Sequence, residues 1–157
     1  MEREIESVWD YPRPPRLEHT TDRIVVTHHG VVIADTKAPL RVLETSHPPT
    51  YYLPFSDVDM SLVEPVEGAS MCEWKGVANY GDIVVGEDRL SRVAWWYPTP
   101  TPGFADIVDH LALYPGRVEH CTVNGEVVTA QEGDFYGGWI TSWVKGPFKG
   151  APGTWGW

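Results

Sequence analysis

Short runs of β-branched and aromatic residues alternate along this chain with clusters of proline and glycine. Arg23 to His28 is such a run, and Val31 to Ala34 is a second, with His29-Gly30 as the link between them. Two β-favouring runs joined by a short glycine-containing link predict a hairpin. Leu40 to Thr45 predicts a third strand, in which Leu40, Val42 and Glu44 share one face and Arg41, Leu43 and Thr45 the other. Tyr51 to Leu53 follows the Ser46-His47-Pro48-Pro49 link as a fourth. Met71 to Val85 reads as two strands, or as one with a bend near Gly81, and Arg92 to Tyr97 as a strand ended by Pro98. Leu111 to Tyr114 and Arg117 to Val123 are the next strands. Asn124-Gly125 then carries the strongest hairpin signal of the chain, because both turn positions tolerate positive φ.

Helical signals are few. Ser56 to Val63 predicts a helix of at most two turns: Ser56 caps it, Asp57 and Asp59 suit its first turn, Phe55 staples to Met60, and Pro65 stops it. Phe104 to Val108 predicts a single helical turn. Fourteen prolines and fifteen glycines exclude long helices over most of the remainder. The expected organisation is one domain over 1–157, with a core at 19–130, an N-terminal arm at 1–18 and a wrapping tail at 131–157. The arm holds Pro12, Pro14 and Pro15, which favour extended geometry, and Trp9 and Tyr11, which tie it to the body. The tail carries Trp139, Trp143, Trp155 and Trp157, half of the eight tryptophans, on a glycine-rich segment; so large an apolar load predicts that it packs.

Charge narrows the partners. Twenty-two acidic residues against twelve basic ones give a formal net charge of -10. Binding to nucleic acid draws on lysines and arginines that neutralise phosphates, so nucleic acid is excluded as a partner. The start from Met1 to Ser7 carries Glu2, Arg3, Glu4 and Glu6, and no apolar stretch long enough for a membrane span follows. The expectation is a cytoplasmic protein with no membrane partner. Its two cysteines, Cys72 and Cys121, are expected to be reduced, and a bridge between them remains open.

The densest chemistry lies in Cys72-Glu73-Trp74-Lys75-Gly76-Val77-Ala78-Asn79-Tyr80. If this is a continuous strand, Cys72, Trp74 and Gly76 share one face, and Glu73, Lys75 and Val77 the other. Lys75 would then point away from Cys72, toward whatever Arg41 and Glu44 build. Lys75 can hold an anion as a point charge or, if buried, act as a base, and its bland alternative is a solvated strand lysine. Cys72 is a nucleophile if Lys75, Arg41 or His47 lies close, and otherwise a small buried hydrophobe. Arg41 and Glu44 read as cleft-lining groups or as a cross-strand ion pair. Tyr51, Tyr52, Tyr80, Trp95 and Trp96 either stack on a ligand ring or fill the core. The usual phosphate-loop, dinucleotide and zinc signatures are missing. His28 and His29, placed on opposite faces of a hairpin tip, make an awkward metal pair, so neither metal nor cofactor is expected.

Several of these segments resemble one known family. They are Val8-Trp9-Asp10-Tyr11-Pro12-Arg13-Pro14-Pro15, Arg41 to Tyr52, Cys72-Glu73-Trp74-Lys75-Gly76 and Gly146-Pro147-Phe148-Lys149-Gly150. Their order is similar to that in a widespread microbial family, domain of unknown function 427, which also carries a nucleotidyltransferase-like label. Asn79-Tyr80-Gly81-Asp82 departs from the pattern, which has a further aromatic after the tyrosine. The resemblance implies a mainly β fold, a small β-tent similar to methionine sulfoxide reductase B but without its zinc cysteines and with one or two short helices. It carries no established activity. Paired metal-binding carboxylates of the kind a nucleotidyltransferase uses are not evident beyond Asp57 and Asp59.

The function expected from these residues is a metal-free small-molecule pocket, in a binding module or an enzyme. Its ligand-binding residues would be Arg41, Glu44, Trp74, Lys75 and Tyr80, and its catalytic candidates Lys75 and Cys72. Two alternatives stand beside it: a homodimeric interaction protein using exposed tryptophans or a free sheet edge, and thiol or redox chemistry at Cys72.

Overall fold

The structure, a computed structural model, describes residues 4–72, 74–132, 137–154 and 156–157. The expectations at Glu2, Arg3, Glu73 and Trp155 lie outside the described residues. The chain begins with β1 (Glu6–Ser7), β2 (Arg16–His19), β3 (Ile24–His28), β4 (Val31–Thr36), β5 (Leu40–Leu43) and β6 (Thr50–Pro54). The long strands β7 (Val63–Cys72), β8 (Gly76–Val85) and β9 (Asp88–Trp96) follow, then β10 (His110–Leu113) and β11 (His120–Val123). Five strands of two residues each complete or close the fold: β1 and then β12 (Glu126–Val127), β13 (Thr129–Ala130), β14 (Trp139–Ile140) and β15 (Val144–Lys145). Among the described residues, helix is confined to 3-10 turns, and the protein is mainly β.

Seven strands form one sheet in the order β2-β5-β6-β10-β9-β8-β7, and four form a second in the order β12-β11-β3-β4. The Asn124-Gly125 hairpin forms as expected, with both residues at positive φ (51° and 85°). Between the sheets lies the larger core, with Ile24, Val26, Ile33, Leu43, Tyr51, Leu53, Ile83, Leu111, Leu113 and Val123 almost wholly buried. A smaller cluster on the other face of the seven-stranded sheet contains Leu40, Val42, Tyr52, Ala78, Trp95, Tyr97, Phe104, Ile107 and Ala112. Tyr51 and Tyr52 therefore face opposite ways, as neighbours in a strand must.

Two local expectations are corrected. Ser56 to Val63 is not a helix: Phe55–Asp57 and Met60–Leu62 are separate 3-10 turns, and Val58 between them is extended. Val58 bridges to Ala34, and the Asp59 amide donates to the Ile33 carbonyl at 2.8 Å, so pairing with β4 overrides the capping signal. Pro65 then sits in the edge strand β7, where its missing N–H costs no ladder bond. The second correction concerns residues 72–76, which do not form one strand. Cys72 pairs with Gly76 as the last register of the β7–β8 hairpin, and Trp74 and Lys75 lie in its turn.

The arm and tail are pinned by one buried guanidinium. Arg41, 4% exposed, donates to both oxygens of Glu6 at 2.9 and 2.8 Å and to Glu18 at 2.7 Å. The Tyr11 hydroxyl donates to Glu6 at 2.7 Å, and Trp143 of the tail lies against Arg41, its ring centroid 5.7 Å from the guanidinium carbon. Burial disfavours the guanidinium, but the hydrogen bonds it donates to Glu6 and Glu18 outweigh this and raise its pKa. Arg41→Ala leaves two carboxylates facing each other; because both are about one-third exposed, the expected loss is about 2–3 kcal/mol, below the usual cost of breaking a fully buried pair. Urea unfolding measures it, and a variant as stable as the parent shows that the node does not hold the arm.

Candidate functional site

A cavity of about 280 Å³ opens on the outer face of the seven-stranded sheet. Strand alternation supplies most of its wall: Val42 and then Glu44 beyond β5, Thr50 and Tyr52 from β6, Tyr80 from β8, and Trp95 and Tyr97 along β9 and its exit. Lys75 enters from the β7–β8 turn, and His47, Tyr114, Gln131 and Gly137 close the remainder.

The turn that delivers Lys75 is held from outside. The Thr101 hydroxyl donates to the Trp74 carbonyl at 2.5 Å, and the Thr101 amide to the Lys75 carbonyl at 3.0 Å. Gly76 has φ of +110°, a conformation side chains rarely adopt, and the Thr99 carbonyl would lie 3.3 Å from an added Cβ. The Pro98–Pro102 segment thus clamps the turn and aims the lysine inward.

The Lys75 ammonium lies 5.9 Å from the Tyr97 ring centroid and 6.0 Å from that of Phe104. Burial works against its charge, but Tyr52, the hydrogen bond to Cys72 and the charge of Glu44 outweigh this and raise its pKa. The ammonium form of Lys75 is therefore favoured. Burial also pushes up the phenols of Tyr52, Tyr97 and Tyr114, which stay protonated and available as hydroxyl donors. Trp95 packs on Tyr114 at a centroid distance of 4.6 Å, and the Tyr80 hydroxyl meets that of Ser70 at 2.6 Å.

Of the five ligand-binding residues expected from the sequence, Glu44, Lys75 and Tyr80 line this cavity, as do Tyr52 and Trp95 from the stacking candidates. Arg41 does not. It shares the inward face with Leu43 and is engaged by Glu6 and Glu18, and it is not paired with Glu44. Trp74 packs half-buried beside the smaller cluster and contributes its carbonyl to the Thr101 clamp. Cys72 is brought to Lys75, because Cys72 pairs with Gly76 across the hairpin and alternation no longer separates them. Cys121 is on the other side of the sheet in the main core, its thiol pushed up to about 12 by burial, and both cysteines are free. His47 and Tyr97 also line the cavity and have no ligand-contact reading from the sequence. The parity that places Val42 with Glu44 was a signal for that face; the partnership with Lys75 had none.

His28 and His29 also differ from expectation. A register shift after Val26 and a positive φ at His29 (49°) bring the rings together with centroids 4.3 Å apart, and both meet Asp88. Their ligating atoms and that of Asp88 all lie within 4.8 Å, a spacing a metal ion could use. The hydrogen bonds oppose it. The Glu119 amide donates to His28 Nδ1 at 3.1 Å, so the proton of the neutral ring is on Nε2, which faces Asp88 at 2.7 Å. Neutral imidazole ligates through its bare nitrogen, and here that nitrogen is already occupied. His29 spans Asp88 at 3.0 Å and Glu119 at 2.6 Å. Hydrogen bonds from the two imidazoles hold the Asp88 carboxyl below its ordinary range, and the cluster serves as a clasp between three turns.

His47 is set differently. Its Nδ1–H donates to the Thr45 carbonyl at 2.9 Å, and burial is the main reason its pKa falls below the ordinary histidine value. A depressed folded-state pKa means that the unfolded chain takes up the proton first. The contribution of His47 to stability is complete above about pH 6.5 and is lost as the pH falls through and below that value. His47→Gln is expected to lose less stability than the parent between pH 7.5 and 5, conditions chosen as roughly one unit or more either side of the histidine value. Parallel urea midpoints across this range would remove His47 from the acid response.

No curated protein matches the chain. Among the described residues, no helix is long and apolar enough to cross a membrane. The family model described as "Domain of unknown function (DUF427)" matches residues 16–124, more than two-thirds of the sequence and most of the cavity wall. This chain belongs to the DUF427 family.

Proposed function

We propose that the cavity binds a small organic carboxylate, with Lys75 as its anion anchor and the tyrosine hydroxyls as further donors. The observation that carries this is the state of Lys75. It is a largely desolvated ammonium set against aromatic rings, and among the described residues no carboxylate lies within ion-pair distance of it. Burying a charge is costly unless an opposite charge or hydrogen bonds compensate, so an anion entering the cavity gains a strong, water-poor interaction. The size fits a small molecule, since 280 Å³ corresponds to roughly nine water volumes. One lysine beside a carboxylate suits a monoanion better than the dense charge of a phosphate or nucleotide, which selects arginine forks or amide-rich loops.

A second reading has its own observation, the contact between Cys72 and the Lys75 ammonium. That contact sets a nucleophilic sulfur beside a basic nitrogen, an arrangement thiol chemistry uses. Alkylation decides it: reaction of Cys72 no faster than a free cysteine at neutral pH removes this reading, whereas an acceleration that Lys75→Met abolishes supports it.

For the carboxylate reading, the test is a thermal-shift series with benzoate and short-chain carboxylates, alongside inorganic phosphate and nucleoside monophosphates. A ligand that binds only the native state raises the melting temperature. Carboxylates of about a dozen heavy atoms or fewer are expected to do so in the parent and not in Lys75→Met, the remaining compounds having no effect. Equal shifts in the two proteins, or no shift with any carboxylate, would overturn the assignment.

A further inference from the structure

Building on the carboxylate reading, we propose that Glu44 forms a cation subsite in the same cavity, so that the ligand is a zwitterion with its amine and carboxylate held apart. Glu44 and Lys75 both line the cavity but are not in ion-pair contact among the described residues. The two opposite charges therefore belong to separate stations. A ligand carrying only a negative charge meets Lys75 favourably and Glu44 unfavourably; a zwitterion of the right length meets both favourably.

Glu44 has capacity for a further partner. Arg13 approaches its Oε2 at 3.3 Å and His47 Nδ1 lies 3.8 Å from the same oxygen, while no described residue engages Oε1. A carboxylate offers about four acceptor positions, so one long contact leaves most of them open. Arg13 forms an ion pair with Glu44 through Oε2 and is shared with two further acceptors, donating 2.9 Å hydrogen bonds to the carbonyls of Thr45 and Trp157, so it occupies one side of the carboxylate and leaves Oε1 facing the cavity. His47 adds no second positive charge, since its Nδ1–H is donated to Thr45 and burial lowers its pKa. The side chain of Glu44 retains 24% of its exposure, consistent with a group that faces an open space. Trp95, Tyr80 and Tyr114 complete the surroundings, and their π faces attract an ammonium as well as an apolar linker. An aromatic or short aliphatic amino acid whose two charges are separated by several bonds has this chemistry; inorganic phosphate and simple fatty acids do not.

The test compares benzoate, benzylamine and para-aminomethylbenzoate by isothermal titration against the parent, Glu44→Gln and Lys75→Met, each checked for an unchanged melting temperature without ligand. The parent is expected to bind para-aminomethylbenzoate about tenfold or more tighter than benzoate, as for a charge pair formed away from bulk water. Glu44→Gln should abolish that ratio, with benzoate binding unchanged or tighter because it no longer faces a like charge, and Lys75→Met should weaken both carboxylates. If benzoate binds but the amine adds nothing, or if its advantage survives Glu44→Gln, the cation subsite is overturned and the Lys75 reading stands. If neither carboxylate binds the parent, both readings fall. Should Glu44→Gln shift the unliganded melting temperature, Glu44→Asp supplies the second comparison: it keeps the charge but shortens the reach, so a retained ratio supports the subsite and a ratio of one opposes it.

Discussion

Alternation along the strands of the seven-stranded sheet is the constraint on which the rest of this structure depends. Each strand must send successive side chains to opposite faces, and here the two faces have different fates. One packs against the four-stranded sheet and is dry, carrying Leu43, Tyr51, Leu53, Leu111 and Leu113. The other carries Val42, Tyr52, Trp95 and Tyr97 and is only partly covered, which leaves the cavity. A one-residue slip in β5 or β6 would exchange these sets, placing Glu44 toward the core and Leu43 in the cavity. The ladder β2-β5-β6 fixes the register that prevents this.

Covering the second face falls to segments at both ends of the chain. Arg41, anchored on the core side of β5, gathers β1, Tyr11, β2 and Trp143 around one charge, and β1 pairs in parallel with β15 of the tail. Before that strand the tail passes the cavity, where Gln131 and Gly137 are part of the wall. A side chain at Gly137 would overlap the Trp95 ring, so backbone and indole meet directly. The family match spans residues 16–124, which include Lys75, Glu44 and the aromatic wall, whereas Arg13, Gln131 and Gly137 lie beyond it. Within this chain, the matched region carries the charges and the flanking segments close the space around them.

The net charge of -10 makes a lysine held inside aromatic walls more significant. An acidic surface gives no general attraction for anions, so anion recognition has to be local and desolvated. In the proposed carboxylate reading Lys75 meets that requirement, held in place by the Thr101 clamp and the glycine at 76. The histidine–Asp88–Glu119 cluster shows the contrasting case, in which residues with metal-ligand chemistry are already satisfied by hydrogen bonds.

Much of the strand framework is written in local pattern: β3, β4, β6, β9 and the Asn124-Gly125 turn are all signalled by β-branched runs and turn residues acting over a few positions. Alternation in β5 likewise places Arg41 and Glu44 on different faces, information that the sequence contains even though both residues read as one site. What the sequence leaves undecided depends on distant partners. Val58 gives up a well-capped helix because β4 offers it a bridge, and Cys72 meets Lys75 because Cys72 pairs with Gly76 across the hairpin. Tyr52 and Lys75 come together only when β6 and the β7–β8 turn, separated by two other strands in the sheet, are folded onto the same face. Local propensity acts over a few residues and so determines the strands; the site is a product of register and packing between segments far apart in the chain, and those forces exist only once the sheet has formed.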